Sequence, residues 1–333
     1  MDYTHLGRSG LSVSRLCLGT MNFGPETSEP DSFAIMDQAH AAGINFFDTA
    51  NVYGWKKGEG ITEQIIGRWF ATGGGRRERT VIATKLYGSM SDWPNDTYLS
   101  ALNIRRACDA SLKRLQTDHI DLFQMHHVDR STPWEEIWEA MDVLRHQGKI
   151  TYVGSSNFAG WHLAKAQEAA KARNLLGLTS EQSIYNLMNR WVELEVLPAA
   201  IDYGLGVIPW SPLQGGLLSG ALRKQSAGAK GRSANSAELL AEHHEAIAAY
   251  EDFCAQRGED PANVAIAWLL SRPGVTAPII GPRTTDQLTG ALSALDVDLD
   301  EVALARLDEL FPPVGTRVGG GSGSKPAPEA YAW

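Results

Sequence analysis

Cysteine is scarce in this chain. Cys17, Cys108 and Cys254 are the only three among 333 residues. Their odd number and wide spacing exclude a disulfide framework and a zinc-type ligand pattern, and point to free thiols in a reducing compartment. Positive charge is also in deficit: 30 Lys and Arg stand against 39 Asp and Glu, for a net charge of −9. A sequence-independent grip on nucleic acid or on an anionic membrane is therefore not expected. No apolar run approaches the roughly 20 residues of a membrane span. The first residues, MDYTHLGRSG, lack a basic stretch followed by an apolar core, so no signal peptide is expected and a cytoplasmic location is. A glycine fingerprint of the GxGxxG type is missing where a doubly wound sheet would carry it. The first strand-like run is followed by TMNFGPE (20–26) instead.

What is present is an alternation. Hydrophobic residues make up 43% of the chain, enough for a sizeable core. Two short apolar stretches flank Arg8-Ser9-Gly10, which predicts a hairpin before the main fold. Eight short apolar runs follow: 13–19, 44–50, 80–85, 120–126, 150–156, 178–184, 206–212 and 277–282. Such runs suit parallel strands covered by helices on their outer face. Helical patterns separate them at 32–43, 62–73, 102–116, 134–148, 159–174, 194–204, 261–272 and 284–294. The first is read as capped by Ser32 and stopped by Gly43. Eight strand–helix repeats predict a (β/α)8 TIM barrel with an N-terminal β-hairpin, over residues 1–314 as one domain. The Gly/Ser-rich stretch 214–235 is expected to be a long loop after strand seven. It holds Arg223, Lys224, Lys230 and Arg232 and no acid, a bias that suits an anionic ligand or a solvated loop. Residues 315–333 read as a Gly/Ser/Pro-rich tail.

Four candidate site residues stand at or just past the ends of these strands. NFFDTA (45–50) carries Asp48, and Tyr53 follows it. TVIATK ends on Lys85 and IDLFQMH on His126. A barrel of this type builds its site at the strand C-termini, so the four are expected to converge. Alone, each has an ordinary alternative: Lys85 a strand emerging into solvent, Asp48 a turn, Tyr53 packing, His126 a buried imidazole. A metal site of His126, His127 and Asp129 is not expected, because alternation aims neighbours to opposite faces. Together the four suit proton transfer to a carbonyl oxygen. Lys85 is expected to lower the Tyr53 pKa, Asp48 to hold Lys85 charged, and His126 to orient the carbonyl, leaving Tyr53 as general acid. The hydride must then come from a cofactor.

The runs GINFFDTANVYG (43–54), EQIIG (63–67), ATK (83–85), DLFQMH (121–126) and YVGSSNF (152–158) resemble, in that order, segments of the aldo-keto reductases. The likeness covers roughly residues 3–312 and implies NADPH-dependent reduction of a small-molecule carbonyl substrate. It also implies cofactor contacts. Ser156, Asn157 and Gln182 would meet the nicotinamide amide, and Trp210 would stack on its ring. Ser211, Leu213, Gly215 and Leu217 would follow the pyrophosphate. Gly281, Arg283 and Gln287 would hold the adenosine phosphate, with the Arg283 fork favouring the 2′-phosphate of NADPH. After Gln287 the family's acid–Asn pair is replaced by Gly290 and Ala291, which lack the side chains to bind adenine. Within the family, HHVDRSTPW (126–134) and WSPLQGGLLSGALRK (210–224) resemble the 2,3-reductases of nucleotide-linked 4-keto-6-deoxyhexoses. The same resemblance implies an alternative of another class, since some members of this fold act as regulatory subunits of potassium channels and bind nicotinamide cofactor as a sensor. No long extension precedes the barrel here, which disfavours that role. Oligomeric state is left open.

Overall fold

The computed structural model describes residues 1–226 and 234–314. Lys230, Arg232 and the 315–333 segment lie outside them. The chain opens with an antiparallel hairpin, β1 (Tyr3–His5) and β2 (Ser12–Ser14), paired Tyr3 to Ser14. Eight short strands follow: β3 (Cys17–Gly19), β4 (Phe46–Asp48), β5 (Val81–Leu86), β6 (Ile120–Met125), β7 (Ile150–Ser156), β8 (Leu178–Gln182), β9 (Gly206–Val207) and β10 (Ile279–Ile280). All pair in parallel in the order β10-β3-β4-β5-β6-β7-β8-β9. The ends meet where Val207 bridges Val275, where Thr276 N donates to Val207 O (2.8 Å) and where Ile279 N donates to Pro209 O (2.8 Å). The sheet thus curls into the expected (β/α)8 barrel.

The helices on the outside are α1 (Glu29–Ala41), α2 (Ile61–Ala71), α3 (Ala101–Leu115), α4 (Trp134–His146), α5 (Gly160–Lys171), α6 (Val196–Tyr203), α7 (Ala221–Ser226), α8 (Ala234–Glu242), α9 (His244–Arg257), α10 (Pro261–Leu270), α11 (Thr285–Leu292) and α12 (Glu301–Leu310). Three differences from the sequence reading have local causes. The run 13–19 is two strands: Ser14 pairs with Tyr3 in the hairpin and donates its hydroxyl to Leu16 O (2.7 Å) across the bend at Arg15 and Leu16 that precedes β3. Helix α1 starts before Ser32. Ser28 caps it by accepting from Asp31 N (3.3 Å), with Pro30 in the first turn, and the Ser32 hydroxyl donates to Ser28 O (2.8 Å) inside the helix. The 214–235 stretch is partly helical: the buried Glu251 of α9 accepts from Leu222 N (2.8 Å) and Arg223 N (3.1 Å) and so starts α7.

Strand alternation positions the site. Phe46, Ala83 and Leu122 point inward and pack with Cys17, Ile208, Ala277 and Ile279, while Leu6 and Val13 of the hairpin join this interior cluster. The outward neighbours Phe47, Ile82 and Phe123 belong to the larger core under the helices. A period of two places Asp48, Lys85 and Gln124 on the same inner face, one layer nearer the strand C-termini. An apolar floor therefore carries a polar layer. The strand register sets Asp48 beside Ala83 and Lys85 beside Gln124.

Candidate active site

Lys85 is the hub of that layer. Its side chain is fully buried, and Nζ donates to Asp48 Oδ1 (2.5 Å), Thr49 O (3.0 Å) and Tyr53 Oη (3.0 Å). Three donors meet three oxygens, so the ammonium is fully satisfied. The other Asp48 oxygen, Oδ2, accepts from Gln182 Nε2 (2.8 Å) and Gln124 Nε2 (3.1 Å). Gln124 was not singled out from the sequence, although a glutamine within the apolar run IDLFQMH, in step with Asp48 and Lys85, is a readable signal.

Tyr53 stands on the β4–α2 loop, and its ring meets that of His126 edge-on at 6.1 Å between centroids. His126 follows β6, its backbone N–H bonded to Leu86 O (2.9 Å). Tyr53 and His126 are half-buried, whereas Asp48 and Lys85 are buried. The His126 and His127 rings stack nearly parallel, 5.1 Å apart. This corrects the expectation that neighbours face opposite ways: both lie past the strand end, where pleating no longer holds.

Burial and charge set the proton affinities. The Lys85 ammonium is held above its ordinary value: desolvation works against it, and the Asp48 and Tyr53 partners outweigh that. Desolvation raises the Tyr53 phenol and outweighs the lowering by Lys85. The expectation of a lowered Tyr53 is thereby corrected; the sequence could name the ammonium but not the degree of burial. Desolvation, with Lys85 and His127 adding, pushes His126 well below its usual range, so its imidazole is neutral.

The residues expected at a nicotinamide lie beside this cluster. Ser156 Oγ donates to Gln182 O (2.8 Å). Asn157 adopts a left-handed backbone (φ 59°). Its Nδ2 donates to His126 O (3.1 Å) and Ser156 Oγ (3.1 Å), and its Oδ1 accepts from Trp210 Nε1 (3.1 Å). Trp210 is half-buried. Ser211 (φ 55°), Gln214 (φ 47°) and Gly215 (φ 64°) form a turn of left-handed residues next to it. A Cβ on Gly215 would meet nothing within 4 Å, so backbone is bare there. Leu213 is half-buried, and Leu217 is buried at 3% exposure. Past the end of β10, Gly281 is exposed and its carbonyl accepts from Asn22 Nδ2 (3.0 Å). Arg283 Nη1 bonds to Glu26 Oε2 (2.8 Å), a partner not foreseen, and Gln287 Oε1 accepts from Arg283 N (2.8 Å). Gly290 and Ala291 lie on α11.

A parallel barrel that sets a carboxylate–ammonium–phenol chain at its strand ends has the build of an acid–base enzyme. Residues 15–311 match the aldo/keto reductase family. The chain belongs to that family. It is 55% identical over 337 residues to the uncharacterized oxidoreductase YrpG of Bacillus subtilis (strain 168), covering 100% of both chains. It is 35% identical to a probable voltage-gated potassium channel subunit beta of Oryza sativa subsp. japonica, over 89% of this chain and 92% of that one. It is 33% identical to the versiconal hemiacetal acetate reductase of Aspergillus parasiticus, over 94% and 98%. No described helix is long and apolar enough to cross a membrane.

Proposed function

We propose that this oxidoreductase reduces an aldehyde or ketone with NADPH, Tyr53 acting as general acid. The supporting observation is the single chain of contacts from Asp48 through Lys85 to the Tyr53 hydroxyl. At neutral pH the raised phenol keeps its proton. As charge builds on a carbonyl oxygen, Tyr53 gives up that proton, and the ammonium 3.0 Å away stabilises the phenolate left behind. Asp48 keeps Lys85 charged, and two amide N–H groups keep Asp48 in place. The neutral His126 is available as a hydrogen-bond donor that orients the carbonyl. Oxidation of an alcohol reverses these roles.

The residues present fit a nicotinamide dinucleotide, whose bound form would supply the hydride. The bare, left-handed turn at 211–215 offers backbone to a pyrophosphate, beside the half-buried Trp210 and the Asn157 amide. Ser156, Asn157, Gln182 and Trp210 would hold the nicotinamide. Ser211, Leu213, Gly215 and Leu217 would follow the pyrophosphate, and Gly281, Arg283 and Gln287 would hold the adenosine end.

For the substrate, a row of rings leads outward from the site. His127 lies 5.2 Å from Tyr87, and Tyr87 5.3 Å from the exposed Tyr98. This favours a carbonyl compound with a planar or apolar body. The nucleotide-linked keto-sugar draws less support. Of its expected cations, Arg223 lies 3.6 Å from the Glu251 carboxylate, which a diphosphate would have to displace, and Lys224 donates to the Ser219 hydroxyl (3.0 Å). A channel-regulating role, suggested by the potassium-channel relative, would need cofactor binding without sustained turnover. One screen separates the readings: NADPH oxidation over many turnovers with aromatic aldehydes, aliphatic ketones and nucleotide-linked 4-keto-6-deoxyhexoses. No turnover with any carbonyl would remove the reductase reading.

A further inference from the structure

Behind the proposed nicotinamide site lies a buried carboxylate that the chemistry above does not use. Glu181 is 0% exposed and sits on β8 immediately before Gln182. Gln182 points into the barrel toward Asp48, so alternation turns Glu181 outward, beneath the turn from β7 into α5. That turn needs outside support. Helix α5 begins after Ala159; His162 Nδ1 accepts from Ala159 N (3.3 Å) and Glu195 Oε1 from Trp161 N (2.9 Å), which leaves Phe158 N, one residue earlier, to another acceptor. Asn157 also sits in the left-handed region, which asparagine adopts more readily than other non-glycine residues, so its neighbours' bonds rather than strain hold its side chain where it points.

Glu181 supplies a large part of that hold. Its Oε1 accepts from Phe158 N (3.0 Å) and Ser183 Oγ (2.6 Å). Its Oε2 accepts from Ser155 Oγ, which has Ser180 O (3.3 Å) as a second acceptor. Phe158 is buried against Trp134, and it directly follows the residue whose amide spans the His126 carbonyl and the Trp210 indole. Fixing Phe158 N therefore fixes where Asn157 presents its side chain.

We propose that Glu181 is a positioning residue for the nicotinamide half of the cofactor, holding the 156–158 turn so that Asn157 and Ser156 stay in place. This rests on the reading that the turn receives that ring. Burial raises the Glu181 carboxyl to about 7, and its neutral donors only partly offset this. Protonation keeps Oε1 as an acceptor and needs only the Ser155 hydroxyl to swing to Ser180 O. Glutamine can make the same contacts, whereas alanine makes none of them.

The test measures two ligands by calorimetry: NADPH, and 2′-phospho-ADP-ribose, which is the same molecule without the nicotinamide. Glu181→Ala should raise the dissociation constant for NADPH by about 10-fold or more, the scale of losing one or two ordinary hydrogen bonds. The constant for the ring-less fragment should stay within about twofold. Glu181→Gln should bind both ligands as the parent does. Parallel losses for both ligands would make Glu181 a general stabiliser and overturn the proposal. So would parental NADPH affinity in Glu181→Ala, or a Glu181→Gln protein as weak as Glu181→Ala. If Glu181→Ala does not fold, Ser155→Ala with Ser183→Ala removes both hydroxyl donors and keeps the carboxylate. A selective loss of NADPH then supports the proposal, and unchanged binding overturns it. A parent protein that binds neither ligand would overturn the cofactor reading itself, a result distinct from all of these.

Discussion

Two fully buried glutamates flank the barrel mouth and are held in opposite ways. On the proton-transfer side, Glu63 of α2 pairs with Arg114 Nε (2.6 Å) and accepts from Thr84 Oγ1 (2.6 Å), the residue before Lys85. On the proposed nicotinamide side, the hydrogen bonds described for Glu181 come from hydroxyls and backbone N–H groups. The first region pairs two buried carboxylates with countercharges: Asp48 with Lys85, Glu63 with Arg114. The second leaves a carboxyl that titrates near neutrality, at about 7. A buried ion pair loses heavily when one partner goes, whereas a carboxyl among neutral donors can take up a proton instead. The two sides should therefore fail differently, the first on substitution and the second with pH.

The largest effect is expected at the charge-paired side. Tyr53→Phe removes the acid and little volume. Turnover should fall by roughly 10²–10⁴-fold with NADPH affinity nearly unchanged. Lys85→Met should do at least as much, since it also strips Asp48 of its countercharge. A rate within twofold of the parent in Tyr53→Phe would remove the assignment. Slightly smaller, and read in stability, is Glu63→Ala. It strands Arg114 and the Thr84 hydroxyl behind Lys85, at a cost of roughly 3–5 kcal/mol. Urea midpoints check this. A change below 1 kcal/mol would mean that Arg114 reaches water on its own.

The second side predicts a pH effect. An unfolded glutamate titrates near 4.5, and Glu181 in the fold near 7. Between these values the unfolded chain has lost a proton that the folded chain keeps. Stability from this group is therefore full below about 4.5, declines as pH rises through 7, and is level above. The span is worth on the order of 3 kcal/mol. Glu181→Gln cannot titrate, so its stability relative to the parent should improve between pH 5 and pH 8. A constant difference across that range would mean that Glu181 does not take up a proton in this window.

Both sides were legible in the sequence to different depths. The strand ends pointed to Asp48 and Lys85, because a polar residue two steps past an inward apolar one stays on the same face, and to His126 by its place just past the end of β6. The same rule, applied to Gln124, would have found the second amide on Asp48. Glu181 also stood in plain view within LTSEQSI, but a lone acid in a strand-like run does not say which donors will meet it. Two of the three, Ser155 and Phe158, come from β7 and the turn after it, more than 20 residues away in sequence. The direction of the Tyr53 shift was beyond reach for a similar reason. Two opposing effects of comparable size were in play, and only the fold sets the burial that decides between them. Helix α12 was missed outright. Its buried face is short, Ala303 and Leu307, and its place is fixed by α9, where Tyr250 meets Phe311 at 5.6 Å.

The smallest predicted effect concerns the adenosine end, where the comparison can be sharpened further. Arg283 resembles the Lys85 and Arg114 cases in having a carboxylate partner, but both members of this pair reach solvent, with 39% and 30% of their side chains exposed. Such a pair contributes little to stability. Its importance is for a ligand: a 2′-phosphate arriving at Arg283 must share the guanidinium with Glu26 or displace it, and Glu26 repels the phosphate in either case. Glu26→Gln keeps a hydrogen-bond acceptor and removes the charge. NADPH should then bind about two- to fivefold more tightly, the range of an exposed ion pair, while NADH changes little because it lacks the phosphate. Arg283→Ala should do the reverse, weakening NADPH more than NADH. The measurement is the ratio of the two dissociation constants at low salt, where exposed charges are least screened. A ratio that stays at the parental value in both variants would place any 2′-phosphate away from this pair and remove Arg283 from the proposed cofactor choice.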